Sequence, residues 1–194
     1  MCEVGGQLFM ASDEHMWMYD PSTGKAEVAV EWGSKHECEA MCGSAGQVFL
    51  ALTHDGGSCV LKAFDLQTSR SKTFEMGREA LIGSACMCEA AGKLVVASHA
   101  QVLVVFDLIS GQFDKADLSC RDGLMYTAVL YVAERVFFAP SVSNSMRVYD
   151  PKFPAKDGKA ESVDVACAVG RATEYKFSAM CECMGKIFLA PANA

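Results

Sequence analysis

Positive charge is scarce in this sequence. Its 17 Lys and Arg are outnumbered by 24 Asp and Glu and nowhere gather into a run, so no electrostatic footprint for a phosphate backbone is present and no nucleic-acid partner is expected. Long apolar stretches are missing too. Nothing approaches the ~18 consecutive apolar residues of a spanning helix, and the opening Met1-Cys2-Glu3-Val4-Gly5-Gly6 has neither a basic nor an apolar leader segment. No membrane partner is expected, and the chain reads as unexported. G-x-S-x-G, H-E-x-x-H, P-loop and dinucleotide fingerprints are likewise absent, so no motif assigns a catalytic residue or a cofactor. What the chain has is apolar residues, 51% of its 194 positions, enough for a substantial core.

Those residues repeat. An aromatic followed by Asp closes an apolar run four times, at Tyr19-Asp20, Phe64-Asp65, Phe106-Asp107 and Tyr149-Asp150. Upstream of each lies a second apolar run ending in Ala: Gly6-Gln7-Leu8-Phe9-Met10-Ala11, Gly46-Gln47-Val48-Phe49-Leu50-Ala51, Gly92-Lys93-Leu94-Val95-Val96-Ala97 and Glu134-Arg135-Val136-Phe137-Phe138-Ala139. A fifth copy, Gly185-Lys186-Ile187-Phe188-Leu189-Ala190, has no aromatic-Asp run after it. With a short segment before each Ala-terminated run and a more polar one after each Asp, every unit offers four short runs, A to D. They are too short for helices and rich in Val, Phe, Tyr and Leu, so they are predicted to be strands. Strand D mixes charge into its alternation, as in Lys25-Ala26-Glu27-Val28, which suits an outer edge.

Four-stranded repeats of roughly 42 to 47 residues are the signature of a propeller blade. The predicted fold is all-β: a β-propeller of four-stranded antiparallel blades, about 4.5 repeats, incomplete or open. The repeats are placed at 1–33, 34–77, 78–123, 124–170 and, in part, 171–194 of a single domain. The C-to-D turn is well specified in copies one and three, where Gly24 and Gly111 supply positive φ. Copy two has Gln67-Thr68-Ser69-Arg70 and copy four an insertion before Gly158, so looser turns are expected there. The uniform Ala closing strand B is expected to mark a contact between blades with room only for a methyl. Because the last copy stops after strand B, the chain is expected to be part of a larger propeller or to self-associate through its terminal blade.

The pattern V-x-[VF]-[YF]-D-x-x-[ST]-G, followed by a Val-containing strand D and then Gly33, Gly77, Gly123 or Gly170, resembles the YVTN-type propeller repeat and, more distantly, WD40 and Kelch repeats. Tyr/Phe-Asp stands where WD40 has Trp-Asp, and no Gly-His pair opens a blade. The resemblance implies a fold; propellers host many unrelated activities.

Cys2, Cys42, Cys88 and Cys181 share one strand-A position, which in the remaining copy is Leu130. A position that accepts Leu is a packing site, so these thiols are predicted to be small apolar contacts and no metal is assigned. Ten cysteines without a disulfide pattern suit a reducing, cytoplasmic setting. The histidines are predicted to lie in loops at one end of the blades, His15, His54 and His99 between strands B and C and His36 between D and A, with Asp13 and Asp55 beside them. Two functions fit. One is a non-catalytic scaffold presenting loop faces to protein partners. The other is a hydrolase or lyase, lactonase-like, with a polar or metal-assisted site built from those six residues.

Overall fold

The computed structural model describes residues 1–12, 14–32, 36–54, 57–77, 85–98, 102–117, 126–141, 145–153, 161–164 and 177–192. Every regular element among them is a strand. The first blade is β1 (Cys2–Val4), β2 (Gln7–Ala11), β3 (His15–Asp20) and β4 (Lys25–Glu31); the second is β5 (His36–Ser44), β6 (Gln47–His54), β7 (Cys59–Asp65) and β8 (Arg70–Glu75). The third is β9 (Ala85–Ala90), β10 (Lys93–Ser98), β11 (Val102–Asp107) and β12 (Phe113–Asp117), and the fourth β13 (Tyr126–Val132), β14 (Arg135–Pro140), β15 (Ser145–Tyr149) and β16 (Glu161–Asp164). Each of these four sheets follows chain order, and β17 (Phe177–Cys183) pairs with β18 (Lys186–Pro191) as a fifth, two-stranded sheet. Two compact units result, Met1–Ile82 with blades one and two and Gly83–Ala194 with blades three to five.

Within each unit one rule of packing recurs. In the first, Phe9 and Met16 of blade one share a core with Val48, Leu50 and Leu52 of blade two. In the second, Val95, Ala97 and Leu103 of blade three share a core with Val136 and Phe138 of blade four. Because successive residues of a strand point to opposite faces, the third and fifth residues of β2 and of β10 face onward. The second and fourth residues of the next strand B face back to meet them. We call these the trailing and leading faces. A B strand apolar at every position is therefore one that packs on both sides, and burying each Phe or Leu contributes about 1.5–3 kcal/mol. The outer strands β4 and β8 are mostly exposed, as their mixed composition predicts.

The A-to-B hairpins turn on two residues in the left-handed region, as type I′ turns require. The pairs are Gly5-Gly6, Ala45-Gly46, Ala91-Gly92, Ala133-Glu134 and Met184-Gly185, and Glu134, at φ 61°, takes the place glycine holds in the others. That conformation costs a residue with a Cβ about 1–2 kcal/mol, whereas the Glu134–Lys152 ion pair is exposed and screened by water, which leaves such pairs weak. Glu134→Gly is therefore expected to raise stability by up to about 1 kcal/mol, measured by urea unfolding; a loss would mean that the ion pair outweighs the backbone strain.

At the opposite hairpin the recurring chemistry is the carboxylate. Asp20 accepts from the Ser22 N–H at 2.8 Å, Asp65 from Gln67 and Thr68 at 3.0 and 2.8 Å, and Asp107 from Ile109 and Ser110 at 3.0 and 2.7 Å. The looser turn expected in copy two is not what forms. Ser69 adopts φ 53° where Gly24 and Gly111 sit at 68° and 70°, so serine bears the strain and the same Asp-anchored turn closes. The three carboxyls lie below their ordinary 3.8, Asp20 chiefly through the Ser22 hydroxyl, Asp65 through the Thr68 N–H and Asp107 through the Ser110 N–H. A carboxyl lowered in the folded state favours folding above its unfolded pKa, and that contribution disappears as pH falls through the folded value. Stability should therefore decline below about pH 4, with a shallower decline when all three are replaced by Asn. An unchanged slope in urea titrations at several pH values would remove these turns as the cause.

Candidate functional site

The end of the blades where strand B hands over to strand C carries the titratable residues. His15 is the first residue of β3 and stands opposite Glu31, with Nε2 3.8 Å from Oε1. The chain around it is pinned by backbone bonds, Ser12 N–H to the His15 carbonyl at 2.8 Å and Trp32 N–H to the Glu14 carbonyl at 3.0 Å. Strand D thus returns to the same rim.

In blade two, His36 and His54 are direct cross-strand partners at the first position of β5 and the last of β6, their rings edge to face with centroids 4.5 Å apart. A tight turn follows, with His54 N–H donating to Ser58 O and Gly57 N–H to His54 O, both at 2.9 Å. The histidines His15, His36 and His54 therefore sit on strand ends and not in loops, because the ladder of hydrogen bonds runs one residue further than the composition suggests. His99, Asp13 and Asp55 lie outside the described residues. Among the described residues no group of three or more His, Cys, Asp or Glu stands together in a metal-holding arrangement.

Two features of this rim were not legible from spacing. The first is a bulge in strand A opposite the last residues of strand B, between Cys38 and Ala40, Tyr126 and Ala128, and Phe177 and Ala179. In blade two the bulge residue is Glu39, whose carboxylate accepts from Thr53 Oγ at 2.9 Å; bulges re-aim side chains in this way. The second is a pair of buried serines in the second unit, Ser98 at the end of β10 and Ser141 just after β14. Neither hydroxyl has a hydrogen-bond partner among the described residues. Serine at a strand end carries no signal that separates such a hydroxyl from a solvated one.

The shared strand-A register holds, with Cys2, Cys42, Cys88, Leu130 and Cys181 opposite Phe9, Phe49, Val95, Phe137 and Phe188. Burial differs along it. Cys2, Cys42 and Cys88 are partly buried while Cys181 is exposed, so its expected role as an apolar contact is not met. Elsewhere burial pushes thiols up, Cys38 and Cys86 each to about 12, which leaves them un-ionised at neutral pH and poor nucleophiles.

No family profile matches the chain, and no curated protein sequence matches it. Solved structures do. BamB from Moraxella catarrhalis, a propeller-like repeat protein, superposes with a TM-score of 0.66 at 13% identity, covering 97% of this chain and 52% of that one. The extracellular domain of BT4673 from B. thetaiotaomicron gives 0.66 at 14% identity over 95% of this chain and 23% of that one. The computationally designed Ika4 protein gives 0.55 at 14%, over 81% and 87%. The chain spans about half the length of the BamB structure and about a quarter of the second. At these identities the likeness shows the fold, an all-β propeller of four-stranded antiparallel blades.

Proposed function

We propose that the chain is a non-catalytic propeller scaffold that presents its strand B-to-C rim to protein partners. The observation that carries this reading is the way the rim's charged and aromatic groups are held. His15 stands with Glu31, His36 with His54 and Glu39 with Thr53, each within its own blade. Groups fixed by near neighbours on a rigid strand end make a pre-organised polar surface, and pre-organisation is what recognition of a partner draws on. The repeat pattern supports the YVTN type and a single domain over 1–194, and the cysteines Cys2, Cys38, Cys42, Cys59, Cys86, Cys88, Cys181 and Cys183, all free thiols, support a reducing compartment.

The His36–His54 pair is the one feature that favours the alternative, a hydrolase or lyase, since two imidazoles at this separation are a beginning of a metal site. One experiment separates the two. A photo-crosslinking side chain placed at Glu14 or Ser58, on the rim, should give discrete protein adducts in cells, and one placed at Ser22 or Gln67, on the opposite hairpins, should not. Equal adducts from both ends would overturn the scaffold reading. So would ester or lactone hydrolysis by the purified chain that is lost in His54→Ala.

A further inference from the structure

Among the described residues histidine stands directly opposite histidine once, at the rim end of blade two. His54 uses both of its backbone groups on the turn that follows, its N–H donating to Ser58 O and its carbonyl accepting from Gly57 N–H. His36 and His54 are therefore a pair without mutual backbone hydrogen bonds. In that class of antiparallel pair the Cα atoms lie about 4.5 Å apart and the side chains come closest. His54 ends β6 on the face that carries Leu50 and Leu52. Those two leucines are buried, whereas both histidines are half-buried. The pair has protein beneath it and solvent above.

We propose that His36 and His54 chelate a divalent transition-metal ion, copper(II) or nickel(II), through one imidazole nitrogen each. The ring separation carries the assignment. A metal–nitrogen bond of about 2.0–2.1 Å sets each ring centre about 3.2 Å from the ion, so two rings at a right angle about it stand about 4.5 Å apart. The observed centroids are 4.5 Å apart, with the ring planes at 75°. A tetrahedral angle, as zinc prefers, would need about 5.2 Å. Right angles belong to tetragonal copper(II) and nickel(II) sites. Rotation of each ring about its Cβ–Cγ bond, a soft torsion, brings a nitrogen to the shared point without moving a strand. Among the described residues the donor set stops at two, so water on the solvent side completes the coordination and the ion is exchangeable. The β5–β6 hairpin turns at Ala45-Gly46, and the histidines lie at its open end. The ion would clamp that end.

The site requires neither a protein partner nor turnover, so binding of the metal alone tests it apart from both the scaffold and the hydrolase readings. Nickel(II) sulfate is the probe, because free thiols reduce copper(II). Cys181 and Cys183 are exposed thiols two residues apart that would compete for it, so every chain carries Cys181→Ser and Cys183→Ser. Calorimetric titration of this untagged 194-residue parent should show one strong nickel site. His36→Phe and His54→Phe each keep an aromatic ring and remove the nitrogen. Each should weaken binding about 100-fold, the scale on which a second anchored ligand adds to the first. Nickel should also raise the melting temperature of the parent and of neither Phe variant, since an ion that binds the folded pair stabilises it. Melting without nickel shows whether the variants fold, and Gln replaces Phe at a position where they do not. A parent that binds no nickel overturns the proposal, as does strong binding kept by either single variant. Equal weakening by His15→Phe, whose imidazole stands with Glu31 in blade one, would take the site beyond the pair and overturn it as well.

Discussion

Gly43→Ala is expected to destabilise the first unit by about 2–3 kcal/mol, the upper part of the range for overpacking a close contact. At a tolerant position the same change gains about 0.4–1 kcal/mol by restricting the unfolded chain, so the two outcomes differ in sign. Gly43 lies in β5, where blade two's inner strand passes the first strand of blade one. A methyl there would collide with Val4 Cγ2 and come within 2.7 Å of the Glu3 carbonyl oxygen. The side chain can move; the carbonyl belongs to the β1 backbone and cannot shift alone. The matching residues of the other blades are Glu3, Glu89, Tyr131 and Glu182, and the three glutamates accept from the glycine N–H of the hairpin at 2.6 to 2.8 Å. Blade two gives up that bond so that its inner strand can approach blade one. Thermal melts and urea curves of Gly43→Ala, and of Gly43→Ala combined with Val4→Ala, measure the effect. Relief of Val4 should restore part of the loss, and a variant as stable as wild type would show that β1 yields freely.

The blades were legible because each is written four times over. The Ala closing strand B, the aromatic-Asp pair closing strand C and the charged strand D recur at fixed offsets, and each has a local physical cause that works without knowledge of the neighbours. Glycine at the hairpins belongs to the same class. What escaped was whatever depends on a second strand or a second blade. The bulge that turns Glu39 toward Thr53 follows from how strand A meets strand B, and neither residue announces it. The cross-strand contact of His36 with His54 depends on register that a composition-based boundary missed by one residue. Ser69 takes a glycine conformation because the Asp65 carboxylate anchors the turn. The exposure of Cys181 contradicts the packing role inferred from its column, since a column predicts burial only where a neighbouring blade supplies the other wall.

The alanine column makes that dependence measurable. Ala97→Leu should lower stability by at least about 1–3 kcal/mol, because its methyl is fully buried in the core shared by Val95, Leu103, Val136 and Phe138 and extra atoms there must displace side chains already at packing density. Strand C closes the pocket on the same sheet, with Leu103 directly opposite Ala97. Cys86 closes it from strand A, its thiol 3.8 Å from the Ala97 carbonyl. The walls on three sides leave no direction in which an isobutyl group could rotate clear. Ala190 occupies the same position in blade five, opposite Ala179 on an exposed face. There, in dilute protein, the identical substitution should stay within about 0.5 kcal/mol, as surface changes do, and Lys115→Leu on the exposed strand D should behave alike. Three melting curves at low concentration decide the matter. If Ala97→Leu and Ala190→Leu shift the melting temperature equally, the column reflects strand propensity and not the fit of one blade against the next.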